Sequence, residues 1–134
     1  MNIRLATTND IEVLSKYDVH ITKEELLSSI NLHRVYIATY NNEFIGWLRY
    51  NLFWDNTPFM NMLYILEEYQ NNGYGTKLVE RWEHDMRELH YDVVLTSTAS
   101  NEYAQHFYYK LGYKAIGGFT IKDDPYEIIL SKSI

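Results

Sequence analysis

The chain has no cysteine. That excludes disulfides, thiolate metal sites and any mechanism that parks an acyl group on a cysteine sulfur. Basic residues are scarce as well: 12 Lys and Arg stand against 18 Asp and Glu, a formal charge of −6. General nucleic-acid binders and anionic-membrane binders need basic surfaces, so neither partner is expected. An acidic chain suits a cationic partner such as an amine, and it equally serves plain solubility. No apolar run reaches the ~20 residues needed to cross a bilayer, and no apolar leader opens the chain. A cytoplasmic location is the matching expectation. The five histidines fall into no ligand pattern, so no metal is expected.

What is present is the composition of one globular domain spanning residues 1–134, with 46% apolar and 22% charged residues. That length is enough to bury a single core. Ile3 and Leu5 alternate with polar neighbours, as a first strand does. Thr8, Asn9 and Asp10 offer N-caps to a short helix carrying Ile11, Val13 and Leu14. Thr22 with Glu25 three residues on is a capping box, opening a helix with Leu26, Leu27 and Ile30 inside. Residues 34–40 read as a strand, Asn41-Asn42 as a turn and residues 43–51 as the hairpin partner. Residues 54–58 read as a loop and 59–66 as a buried strand.

A strongly amphipathic helix follows, with Leu78, Val79, Trp82, Met86 and Leu89 in one stripe. Glu80–His84 and Glu83–Arg87 are set four apart on its solvated sides. Residues 92–98 form the next strand, and residues 101–111 a helix stopped by Gly112. Two strands, 113–118 and 127–131, close the chain. The order β-αα-βββ-α-β-α-ββ describes an α/β fold of the α+β kind, with helices packed around one mixed sheet.

Glycine is sparse, six in all. Two of them stand two apart in Gln70-Asn71-Asn72-Gly73-Tyr74-Gly75, between a strand and the long helix. A tight turn there exposes consecutive backbone N–H groups at a helix N-terminus. This makes an anion site that needs no basic side chain, and its expected ligand is a phosphate. Further on, Asn101 and Tyr108 are two helical turns apart and share a face, with the small Ala104 between them. Phe107 and Leu111 lie on the neighbouring core side. A small residue flanked by two polar groups lets a ligand come close to the backbone.

The Gln-x-x-Gly-x-Gly turn, followed by Asn101, Ala104, Phe107, Tyr108, Leu111, Gly112 and Tyr113 in their spacing, resembles the GNAT superfamily of acyl-CoA-dependent N-acyltransferases. The resemblance covers nearly the whole chain, its second half best, and it implies the GNAT acyl-CoA N-acyltransferase fold. It also implies acetyl-CoA as cosubstrate, held where two parallel strands splay apart. The backbone amides of Asn71, Asn72, Gly73, Tyr74, Gly75 and Thr76 would cradle the pyrophosphate, with side-chain hydrogen bonds from Gln70 and Asn71. Leu63, Tyr64 and Ile65 would pair their backbone with the pantetheine arm, and Ile65 and Leu66 would lie nearest the thioester. Asn101, Ala104 and Phe107 would complete the cofactor side.

Tyr108 would protonate the departing thiolate. Ordinary thiol and phenol pKa values of roughly 8.5 and 10 leave that transfer little to tune. The acceptor amine has its own requirement. An alkylammonium of pKa about 10.4 is only about 0.04% neutral at pH 7, so freeing its lone pair costs about 4–5 kcal/mol. Asp55, Glu67 and Glu68 are candidate bases, and desolvation of the amine is the other route. Trp54 and Phe59 would wall the acceptor pocket.

The implied activity is acetyl transfer to a primary amine, expected to be a small molecule, by direct attack in a ternary complex. A protein or peptide amine, a different acyl group and a non-catalytic acyl-CoA sensor are the alternatives. A homodimer through the C-terminal strands or a sheet edge is compatible with the pattern.

Overall fold

The computed structural model describes residues 1–134. Its elements are β1 (Asn2–Leu5), α1 (Ile11–Tyr17), α2 (Lys23–Asn31), β2 (Val35–Tyr40), β3 (Glu43–Phe53), β4 (Thr57–Ile65), α3 (Tyr74–Glu88), β5 (Val93–Ala99), α4 (Ala104–Lys110), β6 (Lys114–Phe119) and β7 (Glu127–Ser133). This is the expected β-αα-βββ-α-β-α-ββ order. The strands are hydrogen-bonded in the order β1-β2-β3-β4-β5-β7-β6. The chain divides into two compact units, residues 1–51 with 62–81 and residues 52–61 with 82–134.

In the first unit, β1 and β2 pair antiparallel, from Asn2 opposite Thr39 to Leu5 opposite Tyr36. Leu14, Leu26 and Ile30 from α1 and α2 form the core with Val35, Ile37 and Trp47 from the strands. Local chemistry fixes the 3-10 turn Thr8–Asp10 that leads into α1, and the start of α2. The Asp10 carboxylate accepts from the Thr7 backbone N–H at 2.7 Å and from both Arg4 guanidinium nitrogens at 2.8 and 2.9 Å. Thr22 caps α2 by accepting from the Glu25 backbone N–H at 3.2 Å. Asp18, just past α1, is buried. It is tolerated there because Arg49 donates to it at 2.9 and 3.3 Å and the Trp47 indole at 3.1 Å.

The pairing of β2 with β3 slips by one residue: Ala38 faces Gly46 while Thr39 faces Phe44. Ile45 is therefore the extra residue of a β-bulge. Beside the bulge β4 comes very close. A Cβ on Gly46 would stand 2.5 Å from the Tyr64 carbonyl oxygen and 2.7 Å from Ile65 Cδ1. Leu66 N–H donates to the Ile45 carbonyl at 2.8 Å. A glycine at this point lets the two backbones meet.

In the second unit, β5 runs parallel to β4, with Phe59 opposite Leu95 and Met60 opposite Thr96. On its other side β5 is antiparallel to β7 along its full length, and β7 to β6.

Three expectations about elements are corrected. The loop expected over residues 54–58 is confined to residues 54–56: Trp54 and Asp55, at φ 54° and 65°, are the two central residues of a tight β3–β4 turn closed by Asn56 N–H on the Phe53 carbonyl at 3.2 Å. Thr57 and Pro58 already belong to β4. Positive φ at both centres marks the type I′ hairpin turn, and Asn41-Asn42 shows the same pattern at 49° and 64°. The helix expected from Asn101 begins only at Ala104, so Asn101 sits in the preceding turn and not on the helix face of Tyr108. On α3, Leu78, Val79, Trp82 and Met86 are buried as expected. Leu89, however, falls past the helix end and is mostly exposed, whereas Glu83 is buried.

Candidate active site

The turn before α3 is built by its own backbone. Asn71 and Gly73 are left-handed, at φ 65° and 80°. Gly73 takes the N-cap place, its carbonyl accepting from Lys77 N–H at 3.2 Å. Tyr74, Gly75 and Thr76 are the first three residues of the 15-residue α3, whose N–H groups have no partner within the helix. Nothing lies within 4 Å of where a Gly73 Cβ would be. Glycine is needed there for its backbone angle and not for space.

Side chains brace this turn from within. Gln70 Nε2 donates to the Ile65 carbonyl at 2.7 Å, and Asn72 Nδ2 to the Tyr69 and Gln70 carbonyls at 3.1 Å each. The Gln70 amide donor is thus committed to the chain itself rather than held out toward a ligand. Tyr40 sets its ring against Tyr69 and Tyr74, at 6.3 and 6.1 Å, gripping the residues on either side of the turn. Of the strand leading in, Ile65 is buried while Tyr64 is exposed and tilts against Trp47 at 5.5 Å.

The second cluster surrounds Tyr108. The end of α4 is a Schellman motif: Tyr113 N–H donates to the Tyr108 carbonyl at 3.0 Å and Gly112 N–H to the Tyr109 carbonyl at 3.1 Å. Gly112 supplies the left-handed residue, at φ 95°. That turn folds the Tyr113 ring edge-on against Tyr108, at 5.6 Å, with Phe107 against it at 5.2 Å. Tyr113 is anchored in turn. Its hydroxyl donates to Glu83 Oε2 at 2.7 Å, while Lys132 Nζ holds Glu83 Oε1 at 2.8 Å. Burial and then the neighbouring Glu83 carboxylate keep the Tyr113 phenol protonated far above the ordinary tyrosine range.

Tyr108 is itself buried. Its pKa is pushed up to about 12, chiefly by desolvation, with the Thr96 hydrogen bond acting against that and Glu102 adding to it. This corrects the expectation drawn from an ordinary phenol. From about 12 to a thiol near 8.5, full proton transfer is uphill by roughly 5 kcal/mol. The group is a neutral hydrogen-bond donor throughout the physiological range.

The profile of the Acetyltransferase (GNAT) family matches residues 5–113. The chain belongs to the GNAT acetyltransferase family. As a member of that family it is an acetyl-CoA-dependent transferase. No functionally curated protein matches it in sequence. Among solved structures, this GNAT chain is similar to the ribosomal-protein-S18-alanine N-acetyltransferase from Escherichia coli, with TM-score 0.82 and 16% identity over 99% of this chain and 93% of that one. An aminoglycoside 6′-N-acetyltransferase complexed with coenzyme A gives TM-score 0.81 and 18% identity over 99% and 97%. The PaiA N-acetyltransferase from Thermoplasma acidophilum, in complex with coenzyme A, gives 0.79 and 19% over 99% and 98%. At such identities the likeness concerns the fold.

The residues present fit the cosubstrate of a GNAT enzyme. The 70–76 turn offers a left-handed, sterically open backbone at a helix N-terminus, the arrangement that binds phosphate without a cation. The remaining candidates are scattered. Trp54 and Asp55 are solvent-exposed at the β3–β4 hairpin tip, Trp54 against Phe53 at 5.0 Å and Phe53 against Phe59 at 6.1 Å. Glu67 and Glu68 are exposed on a single 3-10 turn. No group of three or more His, Asp or Glu is placed to hold a metal ion, and no helix is long and apolar enough to cross a membrane.

Three important residues escaped sequence reading. Gly46 shapes the backbone approach at Tyr64, and its signal was a glycine inside an alternating strand. Glu83 anchors Tyr113, and its signal was a carboxylate at the rim of an apolar stripe. Thr96 bonds Tyr108 and donates to the Met60 carbonyl at 3.0 Å, and it carried no signal.

Proposed function

We propose that this GNAT enzyme acetylates a small primary amine by direct attack on the thioester, with both substrates bound at once. The observation that supports catalysis over mere cofactor sensing is the buried phenol of Tyr108, kept protonated and locked in place by Thr96, Tyr113 and the Schellman turn. A sensor needs the phosphate turn but has no use for such a donor. Bound acetyl-CoA supplies the activated acetyl group. The amides of residues 71–76 hold the pyrophosphate, and the backbone of Leu63, Tyr64 and Ile65 aligns the pantetheine arm. Asn101, Ala104 and Phe107 complete that side.

In the reaction an N–C bond forms and the C–S bond breaks, while the amine loses one proton and sulfur gains one. Tyr108 hydrogen-bonds the sulfur as negative charge grows there, which stabilises the leaving group without a free-standing phenolate. With no cysteine in the chain, no acyl-sulfur enzyme intermediate enters the scheme. A peptide amine is the second reading, prompted by the similar fold of the S18-alanine enzyme.

The deciding experiment is acetyl-CoA-dependent thiol release against small amines and short peptides. Turnover with small amines and none with peptides upholds the proposal. Turnover with peptides alone overturns it in favour of the second reading. Tight acetyl-CoA binding without release from any acceptor would leave a sensor as the better description.

A further inference from the structure

In the second unit, β6 has β7 on one side and no strand on the other. All of its residues, from Lys114 to Phe119, are exposed, and no other strand is exposed along its whole length. An edge strand presents a row of unpaired N–H and C=O groups, which proteins guard with charges, proline, a bulge or a cover. β6 has little of this. Its one charge, Lys114, stands at its first position, and it contains no proline. Gly117 and Gly118 leave the main chain without side-chain cover, and nothing lies within 4 Å of where a Gly117 Cβ would stand. The remaining guard is a bulge, where Ile116 is the extra residue in the pairing with β7.

This open edge is also apolar. Ile116 is 60% exposed, Phe119 46% and, just past the strand, Ile121 59%. Charge is arranged around it with a direction. Lys110, at the end of α4, and Lys114 stand before the apolar stretch, while Asp123 and Asp124 stand after it with Lys122 as their one cationic neighbour. None of Lys110, Lys114, Asp123 and Asp124 is in an ion pair within the chain. An antiparallel strand of the same sequence brings the basic end of each copy to the acidic end of the other. A parallel one would set like charges together. A two-fold axis near Ile116 therefore satisfies the backbone edge, the apolar stretch and both charged ends in one closed operation.

We infer that β6 is the contact strand of a homodimer, in which two copies pair their β6 edges antiparallel and join their sheets into one. Each copy covers Ile116 and Phe119 of the other, and the Lys110–Lys114 end of each meets the Asp123–Asp124 end of its partner. The inference concerns assembly and holds whatever the acceptor of the acetyl group is.

The test is sedimentation equilibrium of the full chain across the micromolar range, read against the 16.0 kDa of one copy. Wild type is expected at twice that mass. Ile116→Lys places a charge in the middle of the edge. It is expected to raise the dissociation constant of the dimer at least about tenfold, with an unchanged far-ultraviolet circular dichroism spectrum. Two further variants keep the outcome independent of that substitution. Lys110→Glu with Lys114→Glu makes both ends acidic, and Asp123→Lys with Asp124→Lys makes both ends basic. Each double variant alone is expected to be monomeric, and their equimolar mixture to form a one-to-one dimer. A wild type that is monomeric throughout overturns the inference. A dimer that none of these changes weakens overturns it too, since the contact then lies on another face. A mixture that stays monomeric excludes the antiparallel pairing and overturns it likewise.

Discussion

The turn at residues 70–76 holds its shape through partners close in sequence: Gln70 reaches Ile65, and Asn72 reaches Tyr69 and Gln70. Tyr108 depends on Thr96 and Tyr113, and through Tyr113 on Glu83, thirty positions distant. The first region exposes main-chain amides, so what matters there is φ and ψ. The second presents one side-chain oxygen in a dry setting, so what matters there is packing and charge around a phenol. A change to the first is expected to act on cosubstrate binding, and a change to the second on the chemical step.

The largest effect expected from separating them is Tyr108→Phe. It removes the donor and keeps the ring, so kcat is predicted to fall about 100-fold with acetyl-CoA affinity unchanged. Steady-state thiol release beside calorimetric binding checks this, and an unaltered kcat removes Tyr108 from the mechanism.

Gly46→Ala tests whether the turn side is as self-contained as it looks. The new methyl meets the Tyr64 carbonyl, a clash between backbones that no rotamer relieves. Overpacking of this kind is predicted to destabilise by about 2 kcal/mol, read as a lower denaturation midpoint. Weaker acetyl-CoA binding is expected alongside, and an unmoved midpoint would mean that β4 yields freely.

Gly73→Ala is predicted to be milder. There is room for the methyl, but the left-handed backbone at φ 80° disfavours a side chain by about 1 kcal/mol. KM for acetyl-CoA should rise about fivefold while kcat holds. A fall in kcat with KM unchanged would place Gly73 in the chemical step and erase the division between the two regions.

The smallest effects are those of pH, and they separate the units at opposite ends of the scale. Arg4 holds the Asp10 carboxyl below the ordinary range, with the Thr7 amide adding to it. The resulting stability is present above about pH 4, the unfolded value, and is lost as pH falls through the lower folded value. Tyr108 has the opposite sign. Its phenol is raised to about 12, so its contribution is full below about pH 10 and is lost between there and the folded value. Melting temperatures should therefore show a shallower acid decline in Asp10→Asn and a shallower alkaline decline in Tyr108→Phe. Parallel curves for wild type and variant would refute the corresponding assignment.

Several parts of this molecule were legible from residues because one residue type meets one backbone demand. Asn41-Asn42 announced a hairpin turn because asparagine tolerates positive φ. Trp54-Asp55 adopts the same turn without announcing it, since the demand there comes from the twist of the paired strands. Gly112 marked the end of α4 for the same local reason. The start of that helix was misplaced at Asn101, because the chain between β5 and α4 turns through Ser100, Asn101 and Glu102 before Ala104 begins the helix. The pattern of α3 was right from Leu78 to Met86 and wrong at Leu89, which lies past the helix end, and at Glu83, where a carboxylate finds Tyr113 and Lys132 waiting inside.

By itself the sequence determined the element order, the tight turn at residues 70–76 that opens α3, and the stop of α4 at Gly112. Each follows from periodicity or from conformational preference over a few neighbouring residues. Only the tertiary structure decided that the Tyr108 phenol is held near 12, that Gly46 must be glycine, that Glu83 is an anchor, and that β6 lies exposed at the edge of the sheet. Those depend on which distant atoms share a volume, on how much water is excluded there, and on which strand is left without a neighbour. A one-dimensional pattern carries none of these.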